Sequence, residues 1–172
     1  MKLAFILIAF AACAQDFTQR GFIETTGIFY PQTAPNDSGR AIGEALLRYE
    51  AFYKLTPALR FNAAFDARTD THHETERVLR LSWWDRERLR PAFDVRRLSA
   101  LYTRGRLTFE AGRQLIRWGK ADVLNPTDRF APRDFLNVVD TGFLGITAAR
   151  LNYGTQANTI ELVFSPRFTP SR

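Results

Sequence analysis

The chain has 172 residues, a formal net charge of +6 and a single cysteine, Cys13. That cysteine lies in the leader segment, which excludes disulfides and cysteine-based metal sites or nucleophiles from everything after it. No later stretch approaches the roughly 20 apolar residues of a membrane helix, so a membrane form of this chain has to be a β-barrel.

The opening residues, MKLAFILIAFAACAQ, carry one positive charge at Lys2, an apolar run from Leu3 to Ala12, and small residues at Ala12 and Ala14. This is the pattern of a secretory signal peptide, residues 1–14, cut after Ala14 and too short to span a bilayer. The competing reading is lipoprotein cleavage before Cys13, although Phe10 is an unusual residue at the start of such a signal. Residues 15–172 then form a single exported unit. Export disfavours nucleic acid as the partner of the basic excess. So does the chemistry of that excess, which is 21 Arg against 3 Lys, spread singly. Arginine is preferred where cations are partly buried and paired.

Phe17 to Tyr30 reads as an opening strand of ambiguous phase. From Glu44 to Leu55 the alternation is clear: Ala45, Leu47, Tyr49, Ala51, Tyr53 and Leu55 share one face, and Glu44, Arg48, Glu50 and Lys54 lie on the other. After Thr56-Pro57-Ala58 it resumes, with Leu59, Phe61, Ala63, Phe65 and Ala67 opposite Arg60, Asn62, Asp66, Arg68 and Asp70. Together these segments predict a long antiparallel hairpin with one apolar and one charged face. Ala92 to Thr103 and Arg106 to Arg117 predict the next two strands. Phe143 to Tyr153 and Thr159 to Ser165 predict a last hairpin around Gly154. Arg113 falls on the apolar phase of its strand, which predicts a bulge near Gly112 or an interfacial depth there.

Periodicity cannot decide whether the apolar face points to a core or to lipid. Strands of about 11 or 12 residues match a tilted membrane crossing better than the mean globular strand of about 5 or 6. An apolar-face tyrosine, Tyr53, Tyr102 or Tyr153, precedes each short turn at 56–58, 104–105 and 154–158. Three tyrosines at one depth predict an interfacial aromatic belt. If the short turns share a side, residues 31–40, 71–91 and 118–142 are long excursions on the other. Short apolar pieces such as Val78 to Trp84 would then extend a hairpin above the membrane. The expectation is an all-β, antiparallel transmembrane barrel of about seven strands. Bacterial single-chain barrels have an even number, so this reading takes the chain as the N-terminal portion of a larger one. A complete eight-stranded barrel is the alternative, and it breaks the turn parity.

The stretch GRQLIRWGKADVLNPTDRFAPRD, Gly112 to Asp134, leaves a strand and contains Gly119, Pro126 and Pro132 as breakers. Its Arg113, Arg117, Asp122, Asp128, Arg129 and Arg133 predict a loop that folds inward as a constriction. It would meet pore-lining Arg48, Glu50, Arg60, Asp66 and Arg68. A purely structural plug of salt bridges is the competing reading. This stretch, with RRLSALYTRGRL before it and ELVFSPRFTPSR after it, resembles the porin-like outer-membrane barrels of a family of unknown function related to alginate-export-like channels. The resemblance covers roughly residues 93–172 and implies a barrel about twice this length. It supplies no substrate, and alginate itself is not carried over.

His72 and His73 point different ways in a loop and lack a third ligand at metal-like spacing. The serines lack a GxSxG elbow. The expected activity is a non-enzymatic, cofactor-free outer-membrane channel, embedded in outer-membrane lipid, for small hydrophilic solutes, anionic ones included. A secreted soluble β-domain that captures polyanions and a barrel-embedded hydrolase using His72 or Ser99 are the alternatives.

Overall fold

A computed structural model of the chain describes residues 2–13, 16–32, 39–83, 89–118, 130–136, 142–155 and 157–171. Among these residues there is no helix, as the two-residue periodicity requires. The strands in chain order are β1 (Lys2–Cys13), β2 (Phe17–Phe29), β3 (Ala41–Lys54), β4 (Leu59–Asp70), β5 (Leu81–Ser82), β6 (Phe93–Arg104), β7 (Leu107–Gln114), β8 (Arg133–Asp134), β9 (Gly142–Phe143), β10 (Ile146–Gly154) and β11 (Thr159–Phe164). Apart from β5, β8 and β9 they form an antiparallel meander in the order β1-β2-β3-β4-β6-β7-β10-β11, and the sheet is open. Strands β8 and β9 make a separate two-stranded ribbon.

After β1, seven strands succeed one another in the sheet, and their connections alternate strictly. The short turns β3–β4, β6–β7 and β10–β11 share one end of the sheet, and the long excursions share the other. In the first turn Thr56 Oγ1 accepts the Leu59 N–H at 3.0 Å. In the second, Gly105 adopts φ +58°, a conformation that favours glycine. In the third, the Thr155 N–H donates to the Asn158 carbonyl at 2.7 Å.

Register fixes the phase that β2 leaves ambiguous. Ile23 pairs with Leu47 and Phe17 with Tyr53, which puts Arg20, Phe22 and Glu24 on the same face as Glu50, Arg48 and Leu46. The leader segment, read from sequence as a signal, forms β1 along the far edge of β2, pairing Cys13 with Thr18 and Lys2 with Ile28.

Two local expectations are corrected. Phe143 does not open the last hairpin: it belongs to the β8–β9 ribbon, and β10 begins at Ile146. Of the described residues of the Val78–Trp84 stretch, Leu81 and Ser82 form β5, which runs parallel to β6 instead of extending a hairpin. Parallel pairing of Leu81 with Phe93 folds the excursion back beside the sheet.

The side chains sort by polarity in the opposite sense to a water-soluble core. Among the described residues, eleven buried side chains are polar or charged and seven are hydrophobic, and three of those seven are alanines. Ile23, Leu47, Phe61, Leu98, Phe109, Leu162 and Phe164 lie exposed on the opposite face. A small apolar cluster of Ile116, Ile146 and Ala148, with Phe130 and Val163 against it, sits where the third excursion leaves and rejoins the sheet.

Candidate functional site

The polar face is organised by cross-strand charge pairs. Arg48 on β3 and Asp66 on β4 are register partners. The Arg48 guanidinium donates to both carboxylate oxygens, Nε to Oδ1 at 2.7 Å and Nη2 to Oδ2 at 2.8 Å. Arg68 Nη2 donates to the same Oδ2 at 2.8 Å, and Arg96 Nη1 stands 3.9 Å from it. Asp66 is 2% exposed and serves three arginines. Arg96 owes its place to a register shift between Ala64 and Phe65, which inserts one extra residue into β6.

Beside this cluster Arg20 pairs with Glu50, and towards the other edge of the sheet Arg150 Nε pairs with Glu161 Oε1 at 2.7 Å. Apolar side chains on this face are covered by arginine: Arg48 lies over the Phe22 ring at 5.3 Å and Arg20 over Phe52 at 5.3 Å. This explains how phenylalanines can occupy the charged phase of a strand.

The pore-lining residues expected from sequence therefore share one face. Arg48, Glu50, Asp66 and Arg68 are tied to one another or to Arg20, and Arg60 is exposed at the short-turn end, opposite Lys54. Among the described residues, Arg48, Glu50 and Asp66 pair across the sheet, because the register places opposite charges face to face.

The expected constriction residues separate into two groups. Asp122, Asp128 and Arg129 lie outside the described residues. Arg113, Arg117 and Arg133 lie within them. Arg113 is 2% exposed; it donates to the Trp83 carbonyl and stands 3.6 Å from Asp94. No register shift accompanies it, and the pairing of Gln114, Arg113 and Gly112 with Ile146, Thr147 and Ala148 runs unbroken. Instead Gly112 takes φ +124°, and Arg113 is turned onto the polar face and buried there. A Cβ on Gly112 would lie 2.3 Å from the Leu98 carbonyl oxygen. Arg117 and Arg133 both stack over Phe143, at 4.2 and 4.6 Å.

Described parts of the excursions and the wall enclose a cavity of about 460 Å³. Glu24, Arg48, Arg68 and Arg96 contribute from the sheet, Arg90 from the second excursion and Phe143 from the end of the third. The start of the second excursion is held by the Asp70 carboxylate, which accepts the N–H groups of His72 (2.7 Å), Glu74 (3.0 Å) and Thr75 (2.6 Å). Asp94, Arg96, Arg90 and Asp134 are functional candidates that sequence reading missed. Only the bulge and the long-range fold bring them to the cavity, and neither leaves a local signal.

The geometry disfavours a Ser99–His72 pair. Ser99 is the register partner of Asn62, and its hydroxyl donates to Glu110 at 2.6 Å. His72 follows Asp70, eight residues further along β4, about 26 Å at the usual strand rise. The apolar face carries the three tyrosines, Tyr53, Tyr102 and Tyr153, at 45%, 37% and 46% exposure and all at the short-turn end. Comparison with protein-family models, with curated proteins and with solved structures gave no match.

Proposed function

We propose that this chain forms part of an outer-membrane β-barrel channel that passes small hydrophilic solutes, anionic ones included, by diffusion. The observation that carries this reading is the inverted polarity of the sheet. Charged and amide side chains fill the buried face, while leucine, isoleucine, phenylalanine and tyrosine cover the exposed one. In water each such large apolar side chain left out of a core forgoes about 1.5 to 3 kcal/mol. In a bilayer the same face is the stabilising one. This polarity speaks against the soluble polyanion-binding alternative.

Three further features support the reading. The short turns share an end, as the periplasmic turns of outer-membrane barrels do. Tyrosines ring that end at one depth, as an interfacial belt would. The resemblance of the Gly112–Asp134 region to porin-like barrels agrees with the reading.

Arg48, Arg60 and Arg68 on the wall and Arg117 and Arg133 at the mouth supply the attraction for anionic groups, with the buried Arg113 behind them. Glu24, Glu50, Asp66 and Asp94 interleave with them, which keeps the passage hydrophilic without a uniform sign. The test has two stages. Membrane fractionation with heat-modifiable gel mobility establishes the barrel. Planar-bilayer recordings of the full-length protein then give conductance and reversal potential. Stepwise conductance with anion preference is expected; recovery in the soluble fraction, or no conductance, overturns the reading.

A further inference from the structure

Among the described residues, the second and third long excursions are joined at the cavity by a buried ion pair. Arg90 Nε donates to Asp134 Oδ2 at 3.2 Å, and both side chains are less than one-tenth exposed. Each partner is fixed independently. Arg90 is bridged to Thr75, its N–H donating to the Glu74 carbonyl at 3.0 Å and its carbonyl accepting the Glu76 N–H at 2.7 Å. Asp134 is paired with Gly142 in the β8–β9 ribbon, and its Oδ1 accepts the Leu136 N–H at 3.1 Å.

The ribbon is also pressed against the wall just beyond β9. A Cβ on Gly145 would lie 2.4 Å from the Arg96 carbonyl oxygen and 3.1 Å from Arg113 Nε. The ribbon carries Phe143 into the cavity beneath Arg117 and Arg133. Among the described residues, its place is set by this side-chain pair and a bond from the Arg133 N–H to Ser171 Oγ at 2.9 Å at one end, and by the close backbone approach at Gly145 at the other.

We infer that Arg90 and Asp134 are positioning residues that latch the β8–β9 ribbon over the passage and so set its width. The inference rests on the channel reading. Removing one member of a buried pair costs its partner a charge-balancing contact, and the ribbon can relieve this by moving out towards water. The pair joins two excursions and no two wall strands, so its loss acts on the mouth while the sheet persists.

The experiment compares single-channel conductance of the full-length wild type with R90Q, D134N and the charge-swapped double variant R90D/D134R, all checked for heat-modifiable mobility. Both single variants are expected to conduct at least about twice as much as wild type, with more open-state noise, and the swap to return towards wild type. Making both single variants keeps the test intact if one fails to fold. Wild-type conductance with single variants indistinguishable from it overturns the latch and leaves the channel standing. A swap that stays as open as the singles also overturns it, because the pairing would then not be the cause. A wild type that does not conduct overturns the channel reading itself, and the latch with it.

Discussion

Arg48 and Asp66 are cross-strand partners joined by two parallel hydrogen bonds of 2.7 and 2.8 Å, and this pair organises the charged face of the sheet. Asp66 offers its second oxygen to Arg68 as well, so one carboxylate balances several guanidinium groups. Asp66→Ala should lower folding stability by about 3 to 5 kcal/mol, because it strands buried cations. Arg68→Gln leaves the bidentate pair intact and should cost about 1 kcal/mol. Urea titration of the refolded protein in vesicles measures both, and similar costs for the two variants would contradict the shared role of Asp66.

Gly112 and Gly145 hold the backbone where nothing larger fits. Gly112→Ala combines φ +124° with a contact of 2.3 Å to the Leu98 carbonyl, and Gly145→Ala one of 2.4 Å to the Arg96 carbonyl. Each should cost on the order of 3 kcal/mol, or abolish the compact heat-modifiable form. Gly105 has φ +58° and open space around it, so Gly105→Asn should change stability by less than about 1 kcal/mol. Yield of the compact form on gels separates these outcomes.

The outer face should show a depth profile. Leu47 lies near the middle of β3 and Tyr53 near its short-turn end, on the same apolar face. Leu47→Arg should cost about 2 to 4 kcal/mol of folding in vesicles, and Tyr53→Arg about 0 to 1 kcal/mol. Reversible urea folding into vesicles gives both values. Equal costs would mean that the face does not cross a bilayer.

The β3–β4 hairpin was legible because its alternation is almost unbroken, from Ala45 to Tyr53 and from Leu59 to Ala67. Strand β2 was not, because Phe22 and Ile28 share its charged phase while Gln19 and Thr25 share the apolar one. Only pairing with Arg48, whose guanidinium covers Phe22, makes that arrangement sensible. Arg113 was flagged by its wrong phase, and Gly112 before it carried the remedy. Arg96 and the Arg90–Asp134 pair stayed hidden. A bulge shifts side chains without changing local composition, and a contact between residues 90 and 134 is set by how the excursions close. Asp122, Asp128 and Arg129, prominent in the sequence, fall outside the described residues.

The reading of an inverted sheet is tested most directly by tryptophan scanning along β3 with lipids brominated on the acyl chains, in variants whose native tryptophans are replaced by phenylalanine. Tryptophan at 45, 47, 49 and 51 should be quenched by the brominated chains, and tryptophan at 44, 46, 48 and 50 should not. Absence of quenching at the odd positions, or equal quenching on both faces, would contradict an apolar face turned to lipid around a charged interior.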